Sequence, residues 1–242
     1  MIEAPTLPPE QATAWHALFD VYERPPRDWS LVGGQMVQSH CWERGVRSAR
    51  PTQDVDAALD VRLHPNMLWD FTSVLASLGF EPDGTSFEGH QHRWLRDGAQ
   101  VDVVQPRFLG PRADGRRGRG GGTTVAAPGT QGALDRSVVI DVSVNGRVGR
   151  LLRPTRQGAL FSKAAAVDQL AGQDNTRHLV DIATLASLVR RSDRIGDGVT
   201  QDERRRLLGA TALIRRDPAL ARRAGVEVAV VDAVRLALGA ET

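Results

Sequence analysis

From Trp29 to Asp60 the chain reads WSLVGGQMVQSHCWERGVRSARPTQDVDAALD. Trp29–Val32 is an apolar run of strand length, and it ends in Gly33-Gly34. The spacing predicts a helix from about Gln35 to Arg44. A strand that turns through two glycines into a helix offers unpaired backbone N–H groups to an anion, which is a phosphate-binding arrangement. After the loop RSARPT, Asp54 to Leu59 reads as a second strand. Residues two apart on a strand share a face, so Asp54 and Asp56 project together, roughly 6.5–7 Å apart at their backbones. Two carboxylates that close repel each other unless a cation sits between them. A hard dication carrying phosphates suits an all-oxygen site.

Outward from this stretch the chain is ordinary for a soluble globular protein. It has 242 residues, 25% charged and 41% hydrophobic, enough for a sizeable core in one large or two small domains. No apolar run reaches membrane-spanning length. The first twenty residues carry no basic segment followed by an apolar one, so no signal peptide is expected. The single cysteine, Cys41, excludes an internal disulfide and reads as a small buried hydrophobe. A cytoplasmic location is expected. The net charge of +2 does not by itself imply a nucleic-acid partner. The 31 basic residues comprise thirty arginines and one lysine, Lys163. Arginine fills almost every basic position, which singles out the one place held by a compact ammonium. Chance is the competing explanation.

Before the central stretch, Pro8 to Glu23 reads as a helix with Trp15, Leu18, Phe19 and Tyr22 on one face, stopped by Pro25-Pro26. After it, His64-Pro65 is expected to open a helix with the stripe Leu68, Phe71, Leu75 and Leu78, ending at Gly79. HRWLR and AQVDVVQP around Asp97-Gly98 form a predicted hairpin. Its second arm places Asp102 inside a valine run, where an acid needs a partner. Arg107 to Gly122 is glycine-rich, with five arginines and one aspartate. A mobile solvated insertion and an arm touching nucleic-acid phosphates are its two readings. A second hairpin is expected around Asn145-Gly146.

Beyond Pro154 the pattern is helical. Leu160, Lys163, Val167 and Leu170 share a face, so the lone lysine points inward or into a cleft. On the next helix, Thr176 to Arg191, His178, Asp181, Leu185 and Leu188 align. A buried Lys163–Asp181 pair that merely joins two helices is the competing reading. The arginine clusters of the last helices are interspersed with acids and read as solvated faces. His90 and His92 alternate on a strand end and His40-Cys41 diverge on a helix, so neither pair reads as a metal site. There is no Walker A lysine motif and no G-x-S-x-G elbow. A glycine turn, three aspartates and an inward lysine suggest two-metal phosphoryl transfer. The lysine would neutralise triphosphate and the third carboxylate would accept the proton of the attacking hydroxyl.

The pattern resembles the DNA polymerase-β-type nucleotidyltransferase superfamily and, within it, the AbiEii/AbiGii-type toxin nucleotidyltransferases, which include the MenT-like toxins. The resemblance rests on Gly33-Gly34, on Arg50-x-Thr52-x-Asp54-Val55-Asp56, on Val101-Asp102-Val103, and on Lys163 with Asp181-Ile182 and Leu185, and covers roughly residues 28–190. It implies an α/β (α+β) fold: a mixed sheet flanked by helices in residues 1–155, the catalytic domain, then a helical domain in residues 156–242, with the active site in the cleft. It also implies an NTP as substrate and Mg2+, or Mn2+, as cofactor. Gly33 and Gly34 would hold triphosphate, and Asp54, Asp56 and Asp102 the metal. Lys163 and Asp181 would face them, with Arg50 and Thr52 shaping the intervening loop. The implied acceptor is RNA, a tRNA 3′ end, with a cognate antitoxin as partner and no membrane. Gln35, Asp168-Gln169 and the arginine-rich loop depart from the family pattern. Two other classes of function stand beside this one: a small-molecule, antibiotic-type nucleotidyltransferase, and a non-catalytic nucleotide- or RNA-binding module on the same fold.

Overall fold

The computed structural model describes residues 1–24 and 26–240. The elements run β1 (Ile2–Glu3), α1 (Pro9–Tyr22), β2 (Trp29–Val32), α2 (Gly33–Glu43), β3 (Val55–Leu59), α3 (Met67–Ser77), β4 (Glu81–Pro82), β5 (Arg93–Arg96) and β6 (Ala99–Pro106). There follow α4 (Pro111–Asp114), β7 (Val125–Ala127), α5 (Thr130–Leu134), β8 (Ser137–Val144) and β9 (Arg147–Pro154). The helices α6 (Arg156–Gln169), α7 (Thr176–Ser187), α8 (Gln201–Arg216), α9 (Pro218–Arg223) and α10 (Val230–Ala237) complete the chain, with a 3-10 turn at Arg191–Asp193. No helix among the described residues is long and apolar enough to cross a membrane.

The central sheet is mixed, in the order β2-β3-β6-β5-β4, with β7 beside the end of β6. The pleat sorts its residues by face. Trp29, Leu31, Ala57, Leu59, Val101 and Val103 are buried in the main core, with Trp15, Leu18 and Phe19 of α1 and Leu68 and Phe71 of α3. Trp29 meets Phe71 edge to face at 5.4 Å, and each such side chain contributes about 1.5–3 kcal/mol by its burial. The opposite face carries Val32, Ala58 and Val104, which form a smaller cluster with Ala133 of α5. Asp56 and Asp102 belong to that second face, flanked by Ala58 and Val104 two residues on.

The register is what builds the site. Antiparallel pairing sets Val32 opposite Asp56, so the glycine turn that follows Val32 starts beside that carboxylate. Parallel pairing sets Asp56 opposite Asp102.

Several expectations need correction. α2 begins at the glycines rather than after them. α3 starts at Met67, with Pro65 in the preceding turn, because the chain first makes a turn that Asp60 holds by accepting the N–H groups of Arg62 and Leu63. The hairpin at Asn145-Gly146 forms, but it leaves the central sheet and pairs with β1 in a separate three-stranded sheet. α7 stops at Ser187, short of Arg191. The arginine-rich loop is folded down on the molecule. Thr72 accepts the N–H of Arg119, the Arg119 guanidinium lies 5.5 Å from the Trp69 ring, and Gly122 N–H donates to Gln91. Pro25, half of the expected stop after α1, lies outside the described residues.

Candidate active site

Asp54 stands just before β3, Asp56 on it and Asp102 on β6. Each offers a carboxylate oxygen, and the three lie within 4.8 Å of one another. Thr52 donates its hydroxyl to Asp54. Arg93 grips Asp102 from β5 with two hydrogen bonds of 3.2 Å, and Gln100 adds a third at 3.1 Å. Burial and the charges of Asp54 and Asp102 push the Asp56 carboxyl up to about 7. Such crowding of oxygen donors could hold a metal ion.

Gly33 has φ +68, and a Cβ there would lie 1.7 Å from Asp56 Oδ2. A Cβ on Gly34 would lie 2.6 Å from Thr52 Cγ2 and 2.8 Å from Arg50 Nη2. Both positions must be bare for the loop to close over the start of α2. That helix has no side-chain cap, and its N-cap, Val32, is extended. Its first N–H groups therefore face the cleft that Gly33 and Gly34 line.

The helical part of the chain supplies the other wall. Lys163 Nζ lies 2.7 Å from Asp181 Oδ2. Arg50, on the loop before β3, donates its Nε to Asp181 Oδ1 at 2.9 Å and its Nη2 to Oδ2 at 3.2 Å. Burial works against the charged form of Asp181, but Lys163 and Arg50 outweigh it and hold the carboxyl below the usual range. The pair does join α6 to α7, as the competing reading has it. It also lines the cleft, a cavity of about 220 Å3 shared with Asp54 and Asp56. Asp102 lies behind this cleft lining.

No protein-family model matches the chain, and no curated protein does. Among solved structures it is similar to the crystal structure of an antigenic nucleotidyltransferase-like protein from Paracoccidioides brasiliensis. The TM-score is 0.52 and the sequence identity 19%, over 94% of this chain and 99% of that one. The fold is nucleotidyltransferase-like.

On this nucleotidyltransferase-like fold the structure brings Gly33, Gly34, Arg50, Thr52, Asp54, Asp56, Lys163 and Asp181 to one cleft, with Asp102 touching its acidic side. It also adds residues that the sequence reading did not select. Arg177 and His178 line the same cleft. Burial and the nearby Lys163 charge push the His178 imidazole down to about 4, so it stands neutral at pH 7. Gln35 is buried. It accepts from Trp15 Nε1 at 3.1 Å and donates to the Thr52 carbonyl at 3.0 Å, so it ties α1 to the loop before β3. Asp168 is occupied with Arg205 and Arg206 of α8, well apart from the acidic cluster's own partners. His90 pairs with Glu88 and Thr123, and Cys41 is buried.

Proposed function

We propose that the protein is a metal-dependent nucleotidyltransferase that moves a nucleotide from an NTP to RNA, at a tRNA 3′ end, as a toxin of the AbiEii/AbiGii type with a cognate antitoxin. The observation that carries this reading is the meeting of three carboxylates within 4.8 Å, beside an uncapped Gly-Gly helix start and across a cleft from Lys163. A non-catalytic binding module has no need of all three acids in one place.

In this reading residues 1–155 form the catalytic half and residues 156–242 the helical half, with the NTP between them in the cytoplasm. Asp54, Asp56 and Asp102 would hold Mg2+ or Mn2+. The donors fit: all are carboxylate oxygens, crowded enough that Asp56 is pushed up to about 7. When bound, a dication would polarise the phosphates and make the acceptor hydroxyl a better nucleophile.

The N–H groups of the Gly33–Gly34 turn receive phosphate oxygens at the positive end of α2. Lys163 meets the triphosphate charge as it redistributes toward pyrophosphate, in a site where buried charge interactions are strong. Asp181 keeps Lys163 and Arg50 aimed at the cleft. Asp102 is less suited to take the hydroxyl proton than expected, because Arg93 and Gln100 already engage its oxygens. Oδ1 accepts from both Arg93 and Gln100, but Oδ2 accepts from Arg93 alone and keeps a lone pair, so metal ligation stays open to it.

The test is incubation of the purified protein with Mg2+, each labelled NTP in turn and total tRNA, beside an Asp54→Ala/Asp56→Ala double mutant. Label on tRNA with the wild type alone supports the reading and identifies the base. Absence of label from tRNA, with NTP binding intact, rejects a tRNA acceptor.

A further inference from the structure

A second cavity, of about 280 Å3, opens on the other side of α6, and Thr130 lines both it and the catalytic cleft. Its volume is near the lower end for small-ligand sites, roughly 300 Å3. Helix α6 divides the two spaces by its spacing. Ser162, Lys163 and Ala166 face the catalytic cleft, and Phe161, Ala165 and Gln169 the second cavity. The two therefore lie side by side across one shared lip.

Three features of this cavity have no structural explanation within the chain. Phe108 stands at its edge 86% exposed, a large aromatic surface with nothing on it. Its backbone is held at φ +64, which bulky residues seldom adopt. Strain kept without a packing return is characteristic of ligand-contacting positions. Two amide oxygens in the lining, Gln131 Oε1 and Gln169 Oε1, are buried without a hydrogen-bond partner among the described residues. Buried polar atoms are nearly always paired, so each is an acceptor left over by the chain, within reach of a ligand once its side chain turns toward the cavity. Phe161 forms the floor, its ring already covered by the Arg136 guanidinium at 5.3 Å. Arg107, next to the exposed aromatic, begins the arginine-rich loop.

We propose that Phe108 and this cavity form an acceptor subsite, which stacks one unpaired nucleobase of a single-stranded RNA end and presents the neighbouring hydroxyl to the acidic cluster across the Thr130 lip. The inference rests on the nucleotidyltransferase reading and specifies how its acceptor is held. An aromatic face is the feature that single-stranded nucleic acid uses regardless of sequence. The unpaired amide oxygens of Gln131 and Gln169 suit a donor on the hydrogen-bonding edge of an unstacked base. Arg107 and the loop it opens supply the positive charge for the adjoining phosphates.

The experiment uses the full chain and a short single-stranded RNA with 2-aminopurine as its 3′-terminal base. Stacking on an aromatic ring quenches this fluorophore. Wild type and Phe108→Trp should quench it. Phe108→Ala should lose the quenching and bind the RNA roughly 5- to 150-fold more weakly, the range for one lost base–aromatic stack. Its melting temperature should stay at the wild-type value, since the side chain is exposed and alanine meets the same left-handed backbone penalty. Equal quenching and affinity in wild type and Phe108→Ala would overturn the subsite, as would a wild type that does not quench. Transfer of labelled nucleotide to the same RNA is measured in parallel. Phe108-dependent quenching without transfer leaves base stacking at Phe108 standing, and removes the transferase reading and with it the acceptor role. Transfer that ignores Phe108 does the reverse.

Discussion

Gly33 and Asp56 occupy adjoining space so closely that the smallest side chain on the first would sit 1.7 Å from a carboxylate oxygen of the second. Gly33→Ala should therefore fold with a penalty of about 1–2 kcal/mol for its left-handed backbone, and Asp56 should be displaced. Mn2+ affinity should drop by roughly 10- to 100-fold, as when a metal ligand loses its support. Calorimetric titration with Mn2+ reads this directly, and unchanged affinity would show that Asp56 is not a ligand.

The Asp56 carboxyl, raised to about 7 by burial and its acidic neighbours, gives the metal-free protein a distinct pH response. The folded state holds a proton between about 4 and 7 that the unfolded state has released. By linkage, the contribution of this group is largest at low pH and is lost as pH rises through 7. Asp56→Asn should remove that slope from denaturant-melt stabilities measured between pH 5 and pH 8. Mn2+ must displace the proton, so its affinity should weaken about tenfold per pH unit below 7. A flat pH profile of Mn2+ affinity would count against Asp56 as the titrating ligand.

Lys163 and Asp181 should respond unequally to substitution. Lys163→Met leaves Asp181 with its two hydrogen bonds from Arg50, so the protein should fold with a modest loss. Asp181→Ala leaves Lys163 buried at 5% exposure without its partner, a change that costs about 3–5 kcal/mol. Nucleotide transfer should fall by roughly 10²–10³ in Lys163→Met. Lys163→Arg should not restore it, because a planar guanidinium cannot replace a compact ammonium in the same space. Urea melts combined with transfer assays separate the two effects; equal destabilisation by both substitutions would refute the asymmetry.

Arg93 sits on β5 and holds Asp102 from outside the cleft. Arg93→Met leaves a buried carboxylate without its main partner and should cost about 1–3 kcal/mol in the metal-free protein. A metal ion at the cluster would restore part of this. The melting-temperature gain on adding Mn2+ should therefore be larger in Arg93→Met than in wild type. Identical gains would mean that Asp102 does not share the metal.

Most of the residues that meet at the cleft stood out in the sequence because they lie in local patterns. Trp29–Val32 with Gly33-Gly34 combines a strand-length apolar run with residues that only a tight turn requires. Asp102 stood out as an acid among valines, and Lys163 as a charge on an apolar helical stripe. Arg93 was missed, although a signal for it existed. A two-residue turn at Asp97-Gly98 fixes the hairpin register, and counting back from it pairs Arg93 with Asp102, as observed. His178 shares the helical face of Asp181, but only its lining of the cleft marks it as part of the site, and Arg177, one residue before it, falls outside that stripe. The second sheet was illegible for another reason. A hairpin's pattern shows that two strands pair, but not which third strand they choose, and β1 contributes only Ile2 and Glu3. The fold of the arginine-rich loop rests on single contacts to Thr72, Trp69 and Gln91 far along the chain, and composition says nothing of these.

With thirty arginines and one lysine, the chain has a single side-chain amine, and that amine is inside the cleft. Reductive methylation with isotopically labelled formaldehyde would mark Lys163 and the α-amino group alone. The first would give a solitary methyl resonance at the site itself, free of the overlap that lysine-rich proteins suffer. Because Asp181 holds the ammonium at 2.7 Å, the rate of labelling would time the opening of that ion pair, and the resonance would register each ligand that enters.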